Sequence, residues 1–213
     1  MLPRGKIGSM MPNAYAQAAQ ALARALMPDP FYLAITADHP DESPERYACL
    51  AQYFLYSLHE GEQIGSVTLP PDGSSGAAIW LFPQAAEVAQ AFEREKERCF
   101  SGLLGSTGFP NYTAIIDFMH PRAVQTVAPD TWYLSILGLA PHMQGQGLGE
   151  QLLRPTLEQA DRAGAACYLE TFTPRNIRFY NRLGFREAAR FDEPVTRSPY
   201  WIMLREPHPL PRP

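Results

Sequence analysis

The feature that most constrains this chain is Gln144-Gly145-Gln146-Gly147-Leu148-Gly149, set between an apolar run and an amphipathic one. Trp132 to Ala140 is nearly continuous apolar sequence and reads as a strand buried on both faces. From about Gly147 to Ala163, residues Leu148, Leu152, Leu153, Leu157 and Ala160 fall on one helical face, and Gly164 is placed to cap its end. Pro155 inside that helix predicts a bend. A strand that turns through alternating glycines into a helix makes an anion site. The bare backbone can approach a phosphate, and the first helical turn offers unpaired N–H groups with a favourable dipole.

Spacing sorts the ligand classes that use this device. A phosphate-loop nucleoside triphosphatase needs Lys-Ser/Thr after the last glycine, but Glu150-Gln151 follows here. A dinucleotide fold needs its third glycine one residue later, where Glu150 stands. Glu170 does sit where a ribose-binding acid would, yet too little chain follows it for the further strand–helix units of that fold.

The rest of the chain supplies a setting for this unit. Asn13 is placed to cap a helix from about Ala14 to Met27, ended by Pro28. Ser43 and Pro44 open a second helix carrying Tyr47, Leu50, Ala51, Phe54, Leu55 and Leu58 at helical spacing, with Gly61 as its stop. That stripe reads as core, with Tyr53 or Tyr56 beside it available to an acceptor pocket. Gln63 to Leu69, the turn Pro70-Pro71-Asp72-Gly73, and Ala77 to Phe82 predict a hairpin. Gln84 to about Arg98 predicts a helix. Residues 100–130 read as loops around Gly102, Gly105, Gly108 and Pro110 and again from Pro121 to Pro129, with a short element at Ala114 to Met119. Beyond the glycines come a strand at Ala166 to Glu170, a short helix from Pro174 to about Leu183, and strands at Arg186 to Phe191 and Tyr200 to Leu204. The expected fold class is α/β (α+β) in one domain, residues 10–213. Residues 1–9 read as a disordered or expression-derived start.

The net charge of −4 carries no basic footprint for nucleic acid. No apolar run is long enough for a membrane span. Cys49, Cys99 and Cys167 lack metal-ligand spacing and read as small buried or half-buried thiols of a reducing, cytoplasmic compartment.

Gln144-x-x-Gly147-x-Gly149 resembles the Gln/Arg-x-x-Gly-x-Gly/Ala pattern of the GNAT acetyltransferases. Leu169-Glu170-Thr171, Pro174-Arg175-Asn176 and Phe179-Tyr180-Asn181-Arg182-Leu183-Gly184-Phe185 resemble the puromycin N-acetyltransferase branch of that family. Ala77 to Pro83 resembles it more weakly, and the acceptor-binding half is less similar. The resemblance implies a central, mostly antiparallel sheet that splays, with helices on its flanks. It implies acetyl-CoA as the cofactor, its pyrophosphate on Gln144, Gly145, Gln146, Gly147, Leu148 and Gly149. The pantetheine arm would lie along backbone groups of Leu137, Gly138 and Leu139, where Gly138 permits a bulge or a close approach. A donor N–H there would stabilise the thioester oxyanion, an effect worth about 3 kcal/mol elsewhere. Asn176 would bond that arm or simply cap its helix. Arg182, with Arg175 and Arg178, would meet the adenosine phosphates or form a solvated face.

Tyr180 aligns with the family's tyrosine acid. A phenol, with a pKa of about 10, can protonate a leaving thiolate of about 8.5 and recover its proton from solvent. Glu170, at the end of a buried strand, is the leading base for the amine, ahead of His120 and Asp117. The expected activity is acetyl transfer to a primary amine of a small molecule by direct attack, in a monomer or homodimer, without metal. A non-catalytic acyl-CoA sensor and a protein N-acetyltransferase are the alternatives.

Overall fold

The computed structural model describes residues 12–208, so the expectation for residues 1–9 lies outside the described residues. Helices α1 (Pro12–Leu26), α2 (Pro30–Ile35) and α3 (Pro44–Ile64) lead into the hairpin β1 (Gly65–Thr68) and β2 (Gly76–Leu81). Helices α4 (Ala86–Leu103) and α5 (Gly105–Thr126) follow, then β3 (Trp132–Leu139), α6 (Leu148–Ala163), β4 (Cys167–Thr171), α7 (Pro174–Arg182), β5 (Arg186–Glu193) and β6 (Ser198–Arg205). The strands form one sheet in the order β1-β2-β3-β4-β6-β5, parallel at β3–β4 and antiparallel elsewhere. This is the expected mixed, mostly antiparallel sheet between helices.

Strand periodicity divides the core in two. Ile79 joins Leu22, Leu50, Phe54 and Ile115 on the side of α1, α3 and α5. Its neighbour Trp80 joins Leu153, Leu157, Leu169 and Phe185 on the side of α6 and α7. Among the described residues no helix is long and apolar enough to cross a membrane.

Several expected boundaries move, each for a physical reason. Asn13 is the second residue of α1 rather than its cap, because the helix already begins at Pro12. Ser43 does cap α3, accepting the Arg46 amide at 3.1 Å. Gly61 does not end it: the helix runs on to Ile64, taking Gln63 and Ile64 from the expected strand. A Cβ on Gly61 would stand 2.6 Å from the Ile79 side chain, so this glycine lets α3 lie close against the sheet. Cys99 is exposed, unlike buried Cys49 and Cys167, and all three are free thiols.

The largest difference is α5, a 22-residue helix where loops were expected. Pro110 and Pro121 lie inside it and each removes a backbone donor. Burial of Ile115, Met119 and Ala123 outweighs that cost as α5 packs on α2, α4 and β5. Its N-terminus is capped from far along the chain. Asp38 accepts the amides of Thr107 and Gly108, each at 2.7 Å, and these bonds hold its carboxyl below the usual range. Gly108 is equally non-local in purpose, since a Cβ there would meet the Ile35 carbonyl oxygen at 2.2 Å.

Two irregularities mark β3. Opposite β2, Ile79 pairs with Ile136 but Trp80 pairs with Leu134, so Ser135 is an extra residue and the strand bulges there. Opposite β4, the ladder runs only from Trp132↔Cys167 to Leu134↔Leu169 and then stops. The strands part beyond it. Burial along β3 therefore alternates, with Tyr133, Ser135 and Leu137 half-buried, instead of being complete on both faces.

Candidate active site

The glycine turn follows β3 through one 3-10 turn, Pro141–Met143. Gly145 and Gly147 have φ of 77° and 78°, the left-handed region that disfavours side chains, and Gly147 is the N-cap of α6. Nothing lies within 4 Å of a Cβ built on either residue, so the turn faces open space. Among the described residues the amides of Gln146, Gly147, Leu148, Gly149 and Glu150 have no backbone partner. The Gln144 side chain instead braces the turn, donating to the Leu139 carbonyl at 2.9 Å, and Gln146 donates to the His142 carbonyl at 2.9 Å. Gly149 serves packing: its Cβ would stand 3.2 Å from the Phe179 ring of α7.

A cavity of about 650 Å³ opens where β3 and β4 part. Leu137, Glu170, Asn176 and Tyr180 all line it, as do the lesser candidates Asp117 and His120. Tyr53 lines it too, whereas Tyr56 does not. Gly138 has another place: a Cβ there would meet Leu22 of α1 at 2.7 Å, so it is the close approach, and the bulge belongs to Ser135. Arg175, Arg178 and Arg182 are exposed on α7. Arg182 borders a separate groove with Arg154 and Arg186, its guanidinium 5.8 Å from the Phe179 ring centroid.

Burial raises the Glu170 carboxyl above the usual carboxylate range, and three neighbours oppose that shift. The Tyr200 hydroxyl donates to Glu170 Oε1, and the Tyr133 phenol and His120 lie near enough to favour the charge of the same carboxylate. Tyr133 stacks on Tyr168 with centroids 4.6 Å apart. Burial, and then the charge of Asp29, push the Tyr180 phenol well up, so it stays protonated. Asp29 was not anticipated. It caps α2 by accepting the Phe31 amide at 3.0 Å, and it accepts the Thr173 hydroxyl at 2.8 Å, tying the start of α2 to the start of α7. The Asp29-Pro30 pair is a cap signature, but its bond to Thr173 has no counterpart in local sequence.

The family model for the acetyltransferase (GNAT) family matches residues 19–185. The chain belongs to the GNAT acetyltransferase family. Solved structures agree in fold. One from Corynebacterium glutamicum, described as histone acetyltransferase HPA2 and related acetyltransferase, matches at a TM-score of 0.63 and 20% identity over 95% of both chains. Arylalkylamine N-acetyltransferase 2 from Aedes aegypti matches at 0.62 and 16% identity, over 93% of this chain and 97% of that one. The polyamine N-acetyltransferase of Drosophila melanogaster, which forms N-acetylagmatine, matches at 0.61 and 15% identity, over 91% and 95%.

GNAT acetyltransferases generally transfer acetyl from acetyl-CoA. The donor groups present suit that molecule. The unpartnered amides at the start of α6 suit its pyrophosphate, and the edge of β3 beyond Leu134 that β4 leaves unpaired suits its amide-bearing arm.

Proposed function

We propose that this protein is an N-acetyltransferase that moves an acetyl group from acetyl-CoA to a primary amine of a small molecule, in a ternary complex. The observation that carries this reading is that Glu170 and Tyr180, a half-buried carboxyl and a buried phenol, line the same cavity beside the parted strands. Gly145 to Glu150 would hold the pyrophosphate with main-chain amides, with Gln144 and Gln146 keeping the turn in shape. Leu137, Gly138 and Leu139 would flank the pantetheine arm, with Asn176 at its side. Arg182 would face the adenosine phosphates.

Acetyl-CoA supplies an acyl group on a sulfur leaving group. Glu170 accepts the proton of the attacking ammonium. The amine nitrogen then bonds the acetyl carbon, the carbon–sulfur bond breaks, and the nitrogen gives up a second proton to solvent as the amide forms. Tyr180 gives its proton to the departing sulfur and recovers one from solvent. Burial keeps the phenol protonated, so it has a proton to give as negative charge develops on the sulfur. The fold neighbours whose names specify arylalkylamine and polyamine substrates support a small amine as acceptor. The runs Pro174-Arg175-Asn176 and Phe179 to Phe185 support placing the chain near the puromycin N-acetyltransferase branch.

Calorimetric titration with acetyl-CoA and with NAD, followed by turnover against an amine panel, tests the proposal. Acetyl-CoA is expected to bind and to be consumed with an amine present. No binding at millimolar acetyl-CoA overturns it.

A further inference from the structure

The cavity beside Glu170 and Tyr180 is built of more than the acetyl transfer itself requires. Phe31 lies at the centre of an aromatic wall. Its ring centroid is 5.2 Å from Tyr32, 6.3 Å from Tyr53 and 6.4 Å from Tyr112 in edge arrangements, and 6.2 Å from Phe172 in a stacked one. All five rings line the cavity, and they come from α2, α3, α5 and the residue after β4. Four elements converge on a surface that favours a flat apolar guest, since aromatic faces and edges pair preferentially with other rings.

Charge in the same cavity is one-sided. Glu93 and Glu97 stand one helical turn apart on α4, Asp117 lies on α5, and all three line the cavity while remaining exposed. The lining contains no arginine among the described residues. Its lysine, Lys96, is already paired with Glu60, whose side chain is 6% exposed. An ammonium entering past these acids is favoured. A carboxylate or phosphate on the same guest meets like charge and, apart from the His120 imidazole, finds no unpaired basic side chain among the described lining residues.

Resting on the acetyltransferase reading above, we propose that the acceptor is an aromatic primary amine bearing no carboxylate or phosphate, and that Glu93, Glu97 and Asp117 reject its carboxylated counterparts. The pair tyramine and tyrosine isolates this point, because the two share ring and amine and differ in the α-carboxylate. Discrimination of tenfold or more is expected, the order produced by one like charge at about 10 Å under an effective dielectric of about 20.

The test has two readouts on the whole chain. Calorimetry with acetyl-CoA and, on protein saturated with CoA, with tyramine and with tyrosine, measures binding without turnover. Initial rates with acetyl-CoA then give kcat/KM for tyramine, tyrosine, spermidine, glucosamine and a short peptide beginning with tyrosine. Tyramine is expected to bind and to lead the panel, with its advantage over tyrosine shrinking in high salt, as rim charges are screened. The triple variant Glu93→Gln, Glu97→Gln, Asp117→Asn changes only exposed side chains and should keep the wild-type melting temperature. It should lose at least about threefold of the tyramine-to-tyrosine ratio, a fraction of the Coulomb effect above. Intact acetyl-CoA binding with no tyramine binding, or with tyrosine, spermidine, glucosamine or the peptide preferred, overturns this inference and leaves the acetyltransferase reading standing. An unchanged ratio in the triple variant overturns the role of the three acids. Absent acetyl-CoA binding sinks both readings together.

Discussion

Replacing Glu170 with glutamine separates a catalytic role from a structural one, because the two predict effects of different size. The carboxylate accepts from the Tyr200 hydroxyl and has the Tyr133 phenol beside it. Hydrogen bonds to a charged group contribute about 1.5–3 kcal/mol each, and neutral ones about 0.5–1.5 kcal/mol. Removing the charge therefore weakens the Tyr200 bond and the Tyr133 contact by about 2 kcal/mol at most, and relief of the carboxylate's desolvation offsets part of this. A change of that size leaves an ordinary domain folded at 25 °C. Loss of a general base costs about 10²–10⁴ in rate, or about 3–5 kcal/mol of barrier. Turnover should thus fall by more than the stability change allows.

The pH profile gives a second signature. Glu170 must be ionised to take a proton, and its pKa is raised, so wild-type kcat should fall with decreasing pH while still above the usual carboxylate range. Glu170→Gln should lack that limb. The stability sign is fixed by the same shift. A carboxyl whose folded pKa exceeds its unfolded value, about 4.3 for Glu, stabilises the fold most below that value and loses the contribution as pH rises through the folded pKa. The wild type should therefore gain on the variant in urea titrations as pH falls through this window. A variant that keeps both the acid limb and more than a third of the wild-type rate, an arbitrary bound well above the loss expected of a base, refutes the assignment.

Tyr180→Phe should lower turnover by about 10²–10⁴ while calorimetry finds CoA affinity nearly unchanged, because the lost group acts on the leaving sulfur. An unaffected rate retires its acid role. Asp29→Asn removes a charge that raises the Tyr180 phenol, so the phenol's pKa drops and the alkaline fall of kcat moves to lower pH. Tyrosinate absorbance, compared with the Asp29→Asn, Tyr180→Phe double variant, reads that shift directly; identical titrations of Asp29→Asn and wild type count against it. Gly147→Ala forces a side chain into φ of 78°, which costs about 1–2 kcal/mol and lowers the melting temperature by a few degrees. It also places a methyl group at the open face of the turn, so acetyl-CoA should bind more weakly, and unchanged affinity would place the pyrophosphate elsewhere.

Much of the geometry of the proposed cofactor side was legible because its causes are local. A left-handed turn at Gly145 and Gly147 demands glycine whatever surrounds it. The helical face of Leu152, Leu153, Leu157 and Ala160 follows from a 3.6-residue period, and Asn176 and Tyr180 share one short helix. The acceptor side was not legible, and α5 shows why. Its glycines and prolines spell a loop by propensity, yet Asp38, 70 residues before Gly108, satisfies the helix's first amides, and burial holds the remainder.

The sequence alone thus determined the left-handed turn and open helix start proposed to hold a phosphate-bearing arm, since φ angles and helix termini depend on residues a few positions apart. Tertiary structure decided what stands around the proposed acid and base. The parting of β3 from β4 depends on where pairing ends between distant strands. The raised carboxyl of Glu170 depends on burial and on Tyr133 and Tyr200, and the protonated state of Tyr180 on burial and on Asp29. Desolvation and Coulomb fields act through space, so no run of neighbouring residues records them.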